Sequence, residues 1–216
     1  MSDCCTPKGY QRMFSRRSAQ SEARRYRRNG LDPTSRRIVE FLKQYGVAGL
    51  TLLEVGGGIG AIQIELLKAG AIRAVSVELT PTYEETAGEL LREAGLEDRV
   101  QRSVMDFTRA GVEIEAAGAV VMNRVICCYP DMPKLAAAAA SRTQKVLVMS
   151  FPRDTWWMRL GLALANFGLW VTRRQFQVFV HSPDQILAVA KEHGLRTTLN
   201  RPGFVWQIAA LERVSG

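Results

Sequence analysis

Short apolar runs alternate with segments of helical spacing through the middle of the chain, from residue 51 to residue 151. Apolar runs bounded by Gly, Pro or Asp predict buried strands, and apolar positions recurring every three or four residues predict helices. The predicted strands are 51–55, 74–79, 100–105, 119–125 and 145–151, and the predicted helices between them are 61–69, 81–94 and 133–141. This alternation indicates βαβ units and a mainly parallel sheet covered by helices on both faces.

The N-terminal part of the chain has a different pattern. Residues 15–28 contain few apolar residues and many arginines, which predicts a helix that lies on a surface or closes over something. A second helix is predicted to end at Gly46, with Asp32 or Thr34 as its N-cap and Pro33 in its first turn.

The last third of the chain changes pattern again. Residues 155–171 are apolar and aromatic, and Ser182 is expected to cap a helix that ends near His193. Strands are predicted at 196–200 and 204–213, joined through the turn Arg201-Pro202-Gly203. We therefore expect the final strand to be antiparallel to the rest of the sheet.

The positive charge of the chain is concentrated at one end. The net charge is +8, yet residues 1–37 carry ten basic and three acidic side chains, so the remainder is nearly neutral. A chain of 216 residues is long enough for one domain with a full core. We expect a basic helical arm or lid at residues 1–33, followed by a ligand-binding domain at 34–216.

Several locations are disfavoured by the sequence. No apolar stretch near the N-terminus resembles a signal peptide, and the longest apolar region, 156–171, is interrupted by Arg159 and Asn166. We expect a cytoplasmic protein with no transmembrane segment and with reduced cysteines.

A glycine-rich turn follows the first predicted strand, in the sequence Glu54-Val55-Gly56-Gly57-Gly58-Ile59-Gly60. Such a turn lets the backbone approach a nucleotide-like ligand, and Glu78, 22 residues after Gly56, stands where an acid accepts hydrogen bonds from ribose hydroxyls. The same glycines could simply pack a helix on a strand. Gly56-x-Gly58-x-x-Ala61 also fits the dinucleotide fingerprint, so an NAD(P)-dependent oxidoreductase is an alternative. Glu54 and Asp106, together with the antiparallel hairpin, favour another class of ligand.

The segments 53–60, 77–79 and 105–107, in this order, resemble the successive motifs of class I S-adenosylmethionine-dependent methyltransferases. The resemblance implies a Rossmann-like, seven-stranded, mostly parallel sheet with an antiparallel last strand. It also implies that Gly56, Gly58 and Gly60 surround the methionine moiety, that Glu78 binds the ribose, and that Met105 and Asp106 contact the adenine. We expect the remaining donor-binding residues to be Glu54, Leu79, Tyr83, Asn123 and Arg124.

A closer resemblance is carried by residues 123–130, Asn-Arg-Val-Ile-Cys-Cys-Tyr-Pro, and by residues 24–28 of the arm, Arg-Arg-Tyr-Arg-Arg. Both are similar to the magnesium-protoporphyrin O-methyltransferase branch, whose members methylate a porphyrin propionate. That branch has a histidine before the Tyr-Pro pair, where this chain has Cys128. The resemblance implies catalytic candidates Tyr129, His181 and Cys128. Tyr129 could instead be a packed turn aromatic, and His181 could cap a local turn.

Three groups of residues are candidates for the acceptor side. Tyr26 and Arg28 of the arm, Cys127, and the pair Trp156 and Trp157 are expected to bind the acceptor. The segment carrying the tryptophans could roof the pocket, but it could equally pack on the sheet, dimerise or touch a membrane.

The four cysteines form two adjacent pairs, Cys4-Cys5 and Cys127-Cys128, without the C-x-x-C spacing of common zinc sites. We therefore expect no metal site. A metal or metalloid bound between the pairs is a minor hypothesis that requires the arm to fold across the later pair.

These observations predict an enzyme that transfers a methyl group from S-adenosylmethionine to a small or medium organic acceptor. O-methylation is favoured, with N- or S-methylation as options, and a monomer or homodimer is expected. A nucleic-acid-binding protein that uses the basic arm is a further alternative, although the arm offers only Tyr10, Phe14 and Tyr26 for base stacking. No nucleic acid partner is expected.

Overall fold

A computed structural model of the chain describes residues 7–110 and 113–214. Seven strands form one sheet in the order β3-β2-β1-β4-β5-β7-β6. The strands are β1 (Thr51–Val55), β2 (Arg73–Glu78), β3 (Val100–Val104), β4 (Ala117–Asn123), β5 (Thr143–Pro152), β6 (Leu195–Pro202) and β7 (Trp206–Arg213). The pairs from β3 to β5 are parallel, and β7 runs antiparallel to both β5 and β6. The predicted sheet with an antiparallel last strand is confirmed.

Eight α-helices surround the sheet within the described ranges. They are α1 (Pro7–Met13), α2 (Arg16–Asn29), α3 (Pro33–Tyr45), α4 (Ala61–Lys68), α5 (Glu84–Ala94), α6 (Met132–Ser141), α7 (Trp156–Val171) and α8 (Pro183–Glu192). None of these helices is long and apolar enough to cross a membrane.

The start of α3 shows how the sequence fixes a helix that borders the site. The Asp32 side chain accepts hydrogen bonds from the backbone N–H groups of Thr34 and Ser35, and Pro33 occupies the first turn. Of the two N-caps considered, the structure therefore uses Asp32. Gly46 ends the helix in the left-handed conformation, at φ 96°.

The core has two layers, one on each face of the sheet. Leu52 and Leu53 are adjacent in β1 and both fully buried, but they point to opposite faces. Leu52 packs with residues of α3 and α4, whereas Leu53 packs with residues of α6 and α8. A strand buried on both faces needs a mainly apolar run, and β1 has one apart from Thr51 and the buried Glu54.

Three local predictions differ from the structure. β6 extends through Pro202, which pairs with Gln207, so the hairpin turn lies at residues 203–205 rather than at 201–203. The helix after Ser182 forms, but the Ser182 side chain makes no capping hydrogen bond. Residues 81–83 form a separate 3₁₀ turn before α5, which begins at Glu84.

Candidate functional site

A cavity of about 290 Å³ opens at the carboxyl ends of β1, β2 and β4. The order reverses between β1 and β4, and the crevice at such a reversal is where open α/β sheets bind ligands. Its floor is the loop after β1, and its walls are the loops after β2 and β4. The first two helices, α1 and α2, cover it.

The glycine turn lines the bottom of the cavity, and two of its positions have no room for a side chain. A Cβ on Gly57 would come within 2.5 Å of the Glu54 carboxylate, and a Cβ on Gly56 would come within 2.6 Å of Val125. Gly56 also has φ 66°, a left-handed conformation that other residues rarely adopt. The glycines therefore keep the space above Glu54 open for a ligand.

Glu54 is a buried acid with an unused acceptor. Its side chain is 3% exposed, and Oε2 has no hydrogen-bond partner among the described residues. Burial raises the pKa of Glu54 to about 8, with neighbouring Glu78 raising it further and Arg102 opposing the shift. A buried acceptor without a partner is costly, so this oxygen is suited to a donor group of a ligand.

Glu78 ends β2 and reaches back to the glycine turn. Its carboxylate accepts a hydrogen bond from the Gly58 backbone N–H. Burial raises the pKa of Glu78 to about 7, although the Gly58 hydrogen bond and Arg102 both favour the charged form. The glycine turn and the acid that the sequence paired are therefore in direct contact, and both line the cavity.

Arg102 of β3 was missed by the sequence reasoning, yet it stabilises the contact between the glycine turn and Glu78. Its guanidinium donates to Gly58 O at 3.1 Å and to both carboxylate oxygens of Glu84 at 2.8 and 3.1 Å. Its side chain is only 9% exposed. A single arginine inside a predicted strand was the available signal, since burying a charge there requires partners.

The loop after β3 is tied to the loop after β4 by side chains. The Tyr129 hydroxyl lies 3.2 Å from each carboxylate oxygen of Asp106 and 2.8 Å from Thr108 Oγ1. Burial raises the pKa of the Tyr129 phenol, and the Asp106 charge raises it further. The phenol therefore stays neutral near pH 7 and holds Asp106 in place.

Asn123 and Arg124 join the end of β4 to the start of α3. Asn123 Nδ2 donates to Ser35 Oγ at 3.1 Å, and the Arg124 guanidinium pairs with Asp32 while lying 5.0 Å from the Trp206 ring centroid. Arg124 has φ 61°, a strained left-handed backbone for a residue with a side chain. Both residues line the cavity.

The arm supplies eight residues of the cavity lining, which are Tyr10, Phe14, Glu22, Arg25, Tyr26, Gly30, Leu31 and Asp32. Tyr83 donates its hydroxyl hydrogen to Glu22 at 3.0 Å, and Tyr26 donates to Glu65 at 2.7 Å. Burial raises the pKa of Glu22. Glu22 escaped the sequence analysis, although it is an isolated acid within a run of basic residues.

The arm also reaches the acceptor side through a tyrosine. The Tyr10 hydroxyl donates to the backbone carbonyl of Cys128, and the Tyr10 ring is 5% exposed. Nothing in the sequence pattern distinguished Tyr10 from a surface aromatic.

The two cysteines of the β4 loop differ in position. Cys128 lines the cavity, whereas Cys127 is buried beneath the loop, with its Sγ 3.6 Å from Cys128 Sγ. The hydrogen bond with Cys128 lowers the pKa of the Cys127 thiol, although burial acts in the opposite direction. The earlier pair, Cys4-Cys5, lies outside the described residues. Within residues 7–110 and 113–214 no cluster of three or more potential metal-binding side chains occurs.

His181 lies behind the cavity wall rather than in it. Its Nε2 is 3.1 Å from the carbonyl oxygen of Tyr129, and Phe179 N–H donates to the carbonyl of Cys127 at 2.7 Å. Burial lowers the pKa of His181, so the neutral imidazole is favoured at pH 7. The segment 179–181 therefore holds the β4 loop by its backbone.

Besides Cys127 and His181, four expected site residues do not line the cavity. Trp156 is 77% exposed, and Trp157 stacks on Phe204 with centroids 5.4 Å apart, because α7 points away from the opening. Arg28 is exposed on the outer side of α2, one turn from the lining residue Arg25. Gly60 is buried as the N-cap of α4. The other predicted donor-binding residues, Leu79, Tyr83 and Met105 included, do line the cavity.

Sequence comparison gives only partial matches. No protein-family model matches the chain. A ribosomal protein L11 methyltransferase from Thermotoga maritima is 44% identical over 63 residues, which are 29% of this chain and 24% of that protein. The chain thus spans about a quarter of the length of this relative.

Structural comparison covers much more of the chain. The crystal structure of magnesium protoporphyrin IX methyltransferase from Synechocystis PCC 6803 with bound SAH has a TM-score of 0.69 and 18% identity, and the match covers 84% of this chain and 82% of that one. An O-methyltransferase family protein from Burkholderia thailandensis has a TM-score of 0.74 and 17% identity, covering 100% and 66%. The chain therefore has the Rossmann-like fold of class I S-adenosylmethionine-dependent methyltransferases, as the motif order predicted.

Proposed function

We propose that this chain, which has the class I methyltransferase fold, transfers a methyl group from S-adenosylmethionine to a small or medium organic acceptor. The main observation in support is the hydrogen bond from the Gly58 N–H to the Glu78 carboxylate. Next to it, the glycine turn leaves space above the Glu54 oxygen that has no hydrogen-bond partner. Acids and backbone donors at these positions match a ligand with ribose hydroxyls and an ammonium group.

The cavity residues fit this donor in type and order. Glu78 would accept hydrogen bonds from the ribose hydroxyls, Met105 and Asp106 would contact the adenine, and the glycine turn with Glu54 would receive the methionine moiety. When bound, S-adenosylmethionine supplies a methyl group on a sulfonium, which an acceptor atom displaces in line. Leu79, Tyr83, Asn123 and Arg124 complete the lining that would exclude water from this reaction.

The acceptor side consists of Cys128, Tyr129 and the arm. We propose oxygen as the methylated atom, and a carboxylate in particular, because Arg25 lines the cavity and would hold an acidic group by charge. A carboxylate acceptor needs no base. This suits a site where the Tyr129 phenol is neutral and bound to Asp106, and where His181 acts on the loop backbone.

Calorimetry with S-adenosylmethionine, S-adenosylhomocysteine and NAD tests the donor. We expect both sulfur ligands to bind and NAD to give no heat, with Glu78→Gln weakening binding at least about tenfold through one lost charged hydrogen bond. Glu85→Gln, on the exposed face of α5, is the matched control and should bind normally. Binding of NAD with no response to either sulfur ligand would instead support the oxidoreductase alternative.

A labelled methyl donor tests the acceptor. Fractionated metabolites should become labelled, and Arg25→Ala should raise the KM for an acidic acceptor while Arg28→Ala leaves it unchanged. A second candidate is a protein acceptor, which is favoured by the partial match to ribosomal protein L11 methyltransferase. Label appearing only in ribosomal protein would select that candidate. Salt-sensitive retention of RNA or DNA on filters would support the nucleic-acid alternative.

A further inference from the structure

The outward face of α7 is an apolar stripe without a partner in the described residues. Its members recur every three or four positions and are 54% to 77% exposed, and they are Trp156, Leu160, Leu164, Phe167, Trp170 and Val171. At 3.6 residues per turn these positions share one side of the helix. A continuous exposed apolar surface of this kind marks a site of contact with another body.

The inward face of α7 explains how the helix stays in place while that stripe is exposed. Met158 is buried, and Asn166, on the same side two turns later, donates to Val178 O at 2.8 Å and accepts from Val178 N–H at 2.9 Å. These contacts attach α7 to the segment 176–181, which in turn holds the β4 loop. The helix is therefore anchored by one side only.

The charge around the stripe indicates what covers it. Residues 155–182 include Arg159, Arg173 and Arg174 and contain no Asp or Glu. Arg159 is bonded to Asp154, whereas Arg173 and Arg174 are exposed at the C-terminal end of the helix. The next aromatic, Phe176, packs against Tyr10 and Phe14 of the basic arm, where Arg12 and Arg17 are exposed.

A second copy of the chain is a poor complement to this face. In a symmetric dimer the same patch lies on both sides, and the segment 155–182 offers no acid to pair with its three arginines. An anionic lipid surface can cover the apolar face and also pair with the arginines. Its acyl region receives Trp, Leu and Phe side chains from a helix lying in the interface, and its headgroups attract the flanking arginines.

We infer that α7 is a membrane-docking helix, which places its Trp156 to Val171 face in the surface of an anionic bilayer while the rest of the chain stays in water. The inference is independent of the proposed methyl transfer, because none of the six apolar residues of this face lines the cavity.

Co-sedimentation of the full chain with lipid vesicles tests this inference. We expect binding to phosphatidylcholine vesicles containing about one-third phosphatidylserine, weaker binding to phosphatidylcholine alone, and loss of binding as salt screens the arginines. The double variant Leu164→Glu, Phe167→Glu should reduce the bound fraction at least about tenfold. Both residues are exposed, so the fold should tolerate the change, and circular dichroism checks this.

A matched control comes from the far side of the molecule. Ile72 is 55% exposed in the loop before β2, as exposed as Leu160, so Ile72→Glu should bind vesicles like the unchanged chain. No binding of the unchanged chain to anionic vesicles would overturn the inference, and so would equal binding by the double variant. A dimer that the double variant dissociates, without vesicle binding, would assign the face to self-association and overturn it as well.

Discussion

Two surface helices of this protein have opposite compositions and opposite degrees of attachment. α2 carries six arginines in 14 residues, yet Ala19 and Ala23 on its inner face are fully buried. α7 is mostly apolar, yet among its 16 residues only Met158 is buried. From hydrophobicity alone, α7 would be expected to be buried and α2 to be exposed.

The difference lies in what each helix meets. α5 presents Glu85, Glu89 and Glu93 at intervals of one turn, and Arg16 and Arg27 of α2 pair with them. The charge that looked directed towards an outside partner is therefore partly neutralised within the fold, and the small alanines let α2 lie close to the core. No described element offers α7 a comparable surface.

Removing residues 1–30 is expected to give the largest effect. The deletion takes away six lining residues, including Glu22 and Tyr26, so water enters the cavity. We expect methyl transfer to be abolished and S-adenosylmethionine affinity to fall about 100-fold or more, while the remaining domain folds. Calorimetry and circular dichroism measure the two parts.

The double variant Leu164→Glu, Phe167→Glu on α7 is the comparison for that deletion. Since neither residue touches the cavity, its donor affinity should be unchanged. Full activity of the shortened chain would show that the arm is a solvated tail. It would also contradict the view that α2 is part of the fold while α7 is mostly exposed.

The second prediction concerns stability and uses the same substitution on both helices. Ala23→Glu places a charge at a fully buried position of α2 and should cost about 3 kcal/mol or more of unfolding free energy. Ala163→Glu on the exposed side of α7 should change it by about 0.5 kcal/mol or less. Urea unfolding of both variants measures the difference, and equal losses would contradict the burial assigned here to α2.

The third prediction concerns pH and the acids beneath α2. Because burial raises the pKa of Glu78 to about 7, the donor-free chain favours the protonated acid, and that stability is lost as pH rises through 7. Donor binding needs the Glu78 carboxylate, so affinity should rise by up to about tenfold per unit below pH 7. It should level off only above pH 8, because burial raises the pKa of Glu54 to about 8.

Calorimetry across this pH range checks the prediction. Glu78→Gln should flatten the profile, and removing the arm should move the midpoint to lower pH by exposing the acid to water. A profile that is unchanged by Glu78→Gln would assign the titration to another group. The α7 double variant should keep the original midpoint.

The smallest effect is expected for surface charges. Arg27→Ala removes the pairs with Glu89 and Glu93, which are exposed and screened, so the melting temperature should fall slightly at low salt and not measurably at high salt. Arg173→Ala on the α7 side should leave the melting temperature unchanged and weaken only vesicle binding. A large loss of stability for either variant would argue against this view of the two surfaces.

Most of the fold was predictable because its signals are local. A buried parallel strand such as β1 needs a mainly apolar run, and its glycine turn needs backbone that a Cβ would obstruct, so both appear directly in the sequence. The same holds for Asp32, whose side chain caps the helix beside it. The residues proposed to bind the methyl donor lie in or next to these local motifs, so the sequence predicted them too.

The other residues of the site depend on contacts distant in the chain. Tyr10 reaches Cys128 across 118 positions, and Tyr83 reaches Glu22 across 61, so no periodic pattern marks them. The interpretation of α7 as a possible roof rested on its aromatic content alone. The direction in which Trp156 points depends on the anchoring of Asn166 to Val178, a contact that composition does not encode.

The anchoring of α7 also bears on how the rate would depend on concentration. The two hydrogen bonds between Asn166 and Val178 join α7 to the segment that holds the β4 loop, so a helix embedded in lipid would keep this loop at a set height above the bilayer. An acceptor dissolved in the same bilayer would then be met by diffusion in two dimensions. Its turnover would follow the mole fraction of acceptor in the membrane and would fall when inert lipid is added at constant bulk concentration.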